Sequence, residues 1–275
     1  MTHPVELFID FDGVICDSAA ECLFSSWVAY DRLTRLCPTR HRPTRHAQPD
    51  GRAGPHPDTP PSFPVTLRER FLDLRPFIRA GDDYVLIQHL LATGRTPAHQ
   101  EEFDRERRDA GPQLLARYAD ELNRVRQELM VHERNHWLRL NPLYPGMAEI
   151  LHAADWDSTW ILSTKRPRYI EAILAFHDVP VPARAILHAA AVSKLDMVAA
   201  VLDERQAGRA ALVDDQLDHL VGNDDPRIAV YLAAWGYAKP EWRADPRVPS
   251  LDLPELHGLL ARATSSSRTG HSGHS

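Results

Sequence analysis

The sequence has no apolar run that approaches the roughly 20 residues a membrane-spanning helix requires, so no helical span and no membrane partner are expected. Met1 to Pro4 leads directly into an apolar segment, which leaves no room for a secretory leader. Cysteine is scarce. Cys16, Cys22 and Cys37 are odd in number and lack metal-ligand spacing. That pattern argues against a disulfide scaffold and points to a reducing, cytoplasmic setting. Basic charge is not in excess either: 32 Lys and Arg stand against 38 Asp and Glu, a net charge of -6. This excludes a general electrostatic pull toward nucleic acid or an anionic membrane. No strand candidate is visible between residues 15 and 143. The composition, 43% hydrophobic and 25% charged, is otherwise that of an ordinary globular protein of 275 residues, enough for one large domain or two modest ones.

The informative stretch lies near the start, Val5-Glu6-Leu7-Phe8-Ile9-Asp10-Phe11-Asp12-Gly13-Val14. Its apolar part reads as a short buried strand. The strand runs into Asp10 and Asp12, and Gly13 permits a sharp turn behind them. Open parallel α/β sheets bind their ligands beyond the carboxyl ends of the strands, so both carboxylates belong to such an end. Taken alone, the motif could equally be a polar turn.

Along the chain, a helical stripe of Leu23, Trp27, Tyr30, Leu33 and Leu36 follows a cap at Asp17 or Ser18. From Cys37 to Pro64 the pattern collapses into eight prolines, four arginines and three histidines, a loosely ordered or disordered insertion. Thr66 to Glu69 has the form of a capping box and predicts a helix start. Further helices are expected from Asp82 to a stop at Gly94, from Pro97 to Asp109, and beyond Gly111-Pro112 to about Leu140. After Asn141-Pro142-Leu143-Tyr144-Pro145-Gly146 the pattern changes to alternating strands and helices, which implies a parallel sheet. Expected strands are 158–163, 185–188, 210–213 and 228–233. Expected helices are 147–154, 167–176, 193–204, 218–222 and 254–263. The Ser, Gly and His rich tail, 264–275, is expected to be disordered. The organisation is therefore an α/β domain, residues 1–14 and 144–263, with an all-helical block, 15–143, inserted after the first strand.

Three later elements stand in order behind the first motif: Ser163 after an apolar run, Lys194 at a helix start, and Asp214-Asp215 after another run. With FIDFDGV, WILSTK, SK and ALVDD in sequence, the chain resembles the haloacid dehalogenase-like superfamily of phosphohydrolases. The nearest likeness is to its phosphoglycolate-phosphatase-like branch, through the first motif, Tyr144-Pro145-Gly146 and Trp235-Gly236-Tyr237. The resemblance implies a three-layer Rossmann-like parallel sheet with an inserted α-helical cap. It implies a small phosphorylated substrate and Mg2+ as cofactor. Asp10 becomes the nucleophile and Asp12 the general acid and base, Ser163 and the N–H of Thr164 hold phosphate oxygens, and Lys194 neutralises charge. Asp10, the carbonyl of Asp12 and one of Asp214 or Asp215 become the metal ligands. Aligning Val213-Asp214-Asp215 with the family's acidic motif favours Asp215 and puts His219 where the family often has Asp or Asn. The other register uses Asp214 with Asp218. Lys165 and Arg166 could face substrate or solvent. Other functions compatible with these motifs are a phosphomutase, a nucleic-acid end phosphatase that uses the arginines of 37–64, and a phospho-ligand binder without turnover. A pure binder has no need of Asp12.

Overall fold

The computed structural model describes residues 5–36, 63–189 and 192–268. The chain divides into two compact units, Met1–Asp17 with Leu143–Ser275, and Ser18–Pro142. The first unit holds β1 (Val5–Ile9), α6 (Met147–His152), β2 (Thr159–Ser163), α7 (Pro167–Phe176), β3 (Ile186–His188), α8 (Lys194–Arg205), β4 (Arg209–Asp214), β5 (Ile228–Ala233), β6 (Ser250–Leu251) and α9 (Leu253–Arg268). The second holds α1 (Ala19–Leu36), α2 (Val65–Leu74), α3 (Gly81–Ala92), α4 (Gln100–His132) and α5 (Arg134–Arg139). Among the described residues, no helix is long and apolar enough to cross a membrane.

The six strands form one parallel sheet in the order β3-β2-β1-β4-β5-β6. Its strands are nearly all apolar because both faces are covered by helices. Phe8, Leu162, Leu212 and Leu232 share one buried cluster with Val198 and Leu202 of α8. The alternate residues Leu7, Ile9, Ile161 and Val213 face the other way and are equally buried. The exception in β1 is Glu6, which is buried yet paired: its carboxylate accepts from Trp160 Nε1 at 2.7 Å and Arg205 Nε at 3.0 Å. A buried charge with such partners avoids the cost of desolvation without compensation.

The register carries the functional consequence. Ile9 lies opposite Ile161 of β2 and Val213 of β4. The carboxyl ends of the adjacent strands β2, β1 and β4 therefore lie within two residues of one another, and Asp10, Ser163 and Asp214 emerge at the same end of the sheet. The order turns outward in both directions from β1, which makes this end a topological switch point.

The helical unit is built around a buried ion pair. The two oxygens of Glu21 accept from Arg126 Nε and Nη2, both at 2.8 Å, and Oε1 also accepts from Ser25 Oγ at 2.6 Å and Trp137 Nε1 at 3.1 Å. α1, α4 and α5 each contribute one side of this knot, so breaking it unpairs charges that water cannot reach. α4 is bent where Gly111 takes φ 76° and ψ 160° ahead of Pro112.

Several local expectations are corrected. α2 begins at Val65 behind Pro64, with no side-chain cap, so Thr66 lies inside the helix and the capping box does not form. The next long helix starts at Gln100 rather than Pro97, with Glu102 accepting from the backbone N–H of Ala98. It stops at Glu133, where the backbone leaves the helical region (φ -134°, ψ 39°), and restarts as α5. The short strand β6 was not expected. α9 continues to Arg268, so residues 264–268 are helical where a disordered tail was expected, and 269–275 lie outside the described residues. Most of the 37–64 insertion also lies outside them. At its end, Phe63 packs against Phe24 and Trp27 at ring distances of 6.5 and 5.9 Å.

Candidate active site

Asp10 is placed by a backbone hydrogen bond from its N–H to the Val213 carbonyl at 2.9 Å, which carries the β1–β4 ladder one residue past the strand. Lys194, the first residue of α8, reaches across the sheet end. Its Nζ lies 2.8 Å from Asp10 Oδ1 and 2.6 Å from Asp214 Oδ2, and all three side chains are buried. The helix start is fixed by Ser193, whose Oγ accepts from the Asp196 N–H at 3.0 Å. Asp214 is closely held: Oδ2 also meets His219 Nδ1 at 3.1 Å, and Oδ1 accepts from the Gln216 N–H at 2.9 Å.

Asp215 points into the same space. Its Oδ2 accepts from the Tyr237 N–H at 3.0 Å. The fit is close enough to dictate two glycines. A Cβ on Gly13, whose φ is 92°, would stand 2.1 Å from Asp215 Oδ2, and one on Gly236 would stand 2.4 Å from the Gly13 carbonyl oxygen. Trp235 Nε1 donates to the Val14 carbonyl at 2.9 Å, and Tyr237 Oη donates to Asp17 Oδ1 at 2.5 Å. The loop after β5 thus clasps the turn that follows Asp12.

Asp12 faces Lys165, with Nζ 2.7 Å from Oδ1. Ser163 is buried, and its Oγ accepts from the Lys165 N–H at 3.3 Å. Thr164 is half-buried, and its carbonyl lies 3.2 Å from His188 Nε2. The structure thus brings Asp10, Asp12, Ser163, Thr164, Lys194, Asp214 and Asp215 to one end of the sheet. Asp218 is exposed and stands outside the acidic group. Arg166 is exposed, whereas Lys165 is buried. The inward turn of Lys165 and the contacts of Gln216, His219 and Tyr237 were not readable beforehand. The only signal was their closeness in sequence to Ser163, to the acidic pair and to the end of β5.

Burial pushes the Asp10 carboxyl above its ordinary range, against the pull of Lys194 and with the push of Asp214. Burial would raise Asp214 as well, but Lys194 and then His219 hold it well below the usual carboxylate range. Burial would lower Lys194, yet Asp10 and Asp214 keep its ammonium above its ordinary value. At neutral pH the lysine therefore stays charged between them.

One oxygen each from Asp10, Asp214 and Asp215 lies within 4.8 Å of the others. Adding Asp12 makes four carboxylates against the two ammonium groups of Lys165 and Lys194, a formal charge of -2 before His219 is considered. Asp10 Oδ1 is buried, and the contact that faces it is the charge of Lys194 at 2.8 Å rather than a set of hydrogen-bond donors. A buried carboxylate oxygen left so is costly in water's absence. Buried oxygen donors with a residual double negative charge fit a hard divalent cation such as Mg2+.

No protein-family model matches the chain, and no curated protein sequence matches it. Solved structures do. A protein from Lactobacillus delbrueckii subsp. bulgaricus named as a phosphoglycolate phosphatase covers 94% of this chain and 99% of its own at 14% identity and a TM-score of 0.57. A protein from Clostridium acetobutylicum named as a phosphatase covers 94% and 98% at 12% identity and a TM-score of 0.54. A protein from Bacteroides fragilis named as a haloacid dehalogenase-like hydrolase covers 92% and 99% at 13% identity and a TM-score of 0.52. The fold of this chain is therefore the haloacid dehalogenase-like fold, reached with little shared sequence.

Proposed function

We propose that the chain is a Mg2+-dependent phosphomonoester hydrolase of the haloacid dehalogenase-like type, acting on a small phosphorylated metabolite through an aspartyl-phosphate. The observation that carries this reading is the meeting of Asp10, Lys194 and Asp214 within 3 Å contacts, with Asp215 beside them, at the ends of β1 and β4. Asp10 lies about two hundred positions before the other three in sequence, and a solvated turn has no use for them together.

Asp10 and Asp215, with the backbone carbonyl of Asp12, would hold Mg2+. When bound, it offsets the repulsion between the Asp10 carboxylate and an incoming phosphate dianion. Asp214 is spoken for by Lys194, His219 and the Gln216 N–H, and it orients Lys194 rather than the metal. Asp10 attacks phosphorus and the bond to the leaving alcohol breaks. Asp12 gives its proton to the departing oxygen, then takes one from the water that hydrolyses the acyl phosphate and restores Asp10. Ser163 Oγ and the Thr164 N–H hold equatorial phosphate oxygens, and Lys194 stabilises the charge that builds on them. The helical unit, inserted in sequence between Asp12 and Ser163, is assigned the choice of substrate, as the resemblance implies.

A phosphate-release screen over many phosphorylated metabolites, run with Mg2+ and again with a chelator, tests the reading. Release of phosphate from one or more of them, stopped by chelation and restored by Mg2+, is expected. No release from any would overturn it.

A further inference from the structure

Lys165 is the one buried cation at this end of the sheet, among the described residues, to which the reaction above gives no task. Its side chain is 1% exposed, its Nζ sits 2.7 Å from Asp12 Oδ1, and it lies 5.7 Å from the centroid of the Phe11 ring. Its backbone N–H is held by Ser163 Oγ. An ammonium keeps its charge out of water only where partners replace the lost solvation, and one of them here is the side chain assigned to proton transfer. Arg166, next in the chain, remains exposed. The inward turn is therefore specific to Lys165.

We infer that Lys165 is a positioning residue for Asp12, deepening the reading above and resting on it. Asp12 stands just past the end of β1, ahead of Gly13, and its carboxyl is the one that Lys165 meets. The Phe11 face and Ser163 hold Lys165, and Lys165 holds Asp12 by Oδ1. That contact fixes the rotamer of the carboxyl that exchanges the proton. The Asp12 proton passes to the leaving oxygen as the phosphorus–oxygen bond breaks, and a proton from the attacking water returns to Asp12. Lys165 gains and loses nothing. Lys194 serves the phosphate and Asp10, and Lys165 serves Asp12. Two buried lysines thus divide the two aspartates between them.

The test is Lys165→Met, measured as kcat/KM on two substrates with Mg2+. One is the alkyl phosphate returned by the screen and the other is 4-nitrophenyl phosphate. This ratio reports events up to loss of the leaving group. An alkoxide needs the proton from Asp12, and 4-nitrophenolate leaves without it. A loss at least tenfold larger on the alkyl phosphate than on 4-nitrophenyl phosphate is expected, with inhibition by inorganic phosphate unchanged. In an Asp12→Asn background the same substitution should change the alkyl rate less than threefold, because the group it positions is already gone. Equal losses on both substrates, or a full further loss in the Asp12→Asn background, would overturn the inference. Weakened inhibition by phosphate would also overturn it and place Lys165 on the substrate. If Lys165→Met does not fold, Lys165→Gln carries the same comparison. A wild-type protein inactive on every phosphate overturns the proposed function itself. An active wild type with equal losses overturns only the role of Lys165.

Discussion

Lys194→Met keeps most of the aliphatic stem and removes the charge. The lysine side chain is 2% exposed, Asp214 is 0% and Asp10 is 8%. The substitution therefore leaves two carboxylates facing each other with little water. Breaking a buried ion pair from one side costs about 3–5 kcal/mol. For a domain of about 150–250 residues each kcal/mol lowers Tm by roughly 2–4 °C, so the α/β unit should melt about 6–20 °C lower in metal-free buffer. Asp214→Asn in the same protein removes one of the stranded charges and should recover much of the loss. Mg2+ should recover part of it in the single variant, since a ligand at a hundredfold its Kd stabilises by about 2.7 kcal/mol. The assay is urea unfolding followed by circular dichroism with and without Mg2+, read separately for each unit if two transitions appear. A cost below about 1 kcal/mol, or no recovery from Asp214→Asn, would refute the claim that this lysine holds the carboxylates together.

Other consequences can be checked at the bench. Asp215→Asn should raise the Mg2+ concentration for half-maximal phosphate release at least tenfold, whereas the exposed Asp218→Asn should leave it unchanged. Gly236→Ala places a methyl group 2.4 Å from the Gly13 carbonyl and 2.6 Å from Asp215 Cβ, and by displacing Asp215 should raise the Mg2+ concentration for half-maximal release in the same titration. Arg126→Met strands the Glu21 carboxylate inside the helical unit and should lower the unfolding free energy of that unit by about 3–5 kcal/mol in denaturant melts.

The parts of the fold legible in sequence were those with strong local signals. α7 and β5 fall at 167–176 and 228–233 as read, because Pro167 starts a helix at its first turn and 228–233 is a nearly continuous apolar run. The parts that were not legible depend on tertiary contact. Two residues of β6 carry no periodicity, and the break at Glu133 has no glycine or proline to announce it. Pro64 starts α2 where Thr66 and Glu69 offered a better local signal. At the site, the motif residues announce themselves by type and order. The direction of a side chain is not in the pattern, and Lys165 and Arg166 looked alike in sequence although one is buried and the other exposed. That Asp214 is occupied by Lys194, His219 and Gln216, and Asp215 by Tyr237, follows from register and from the loop after β5, which no local spacing encodes.

The central claim is that Asp10 carries the phosphoryl group. It is tested most directly by mixing the protein with Mg2+ and a turned-over phosphate ester, quenching in acid within the first turnover, and mapping the modified peptide by mass spectrometry. The account predicts one phosphoryl group on Asp10 in the wild type, accumulating when Asp12→Ala slows its hydrolysis and absent from Asp10→Asn. A phosphoryl group on any other residue, or phosphate release by Asp10→Asn at more than about a tenth of the wild-type rate, a barrier difference of only about 1.4 kcal/mol, would contradict it.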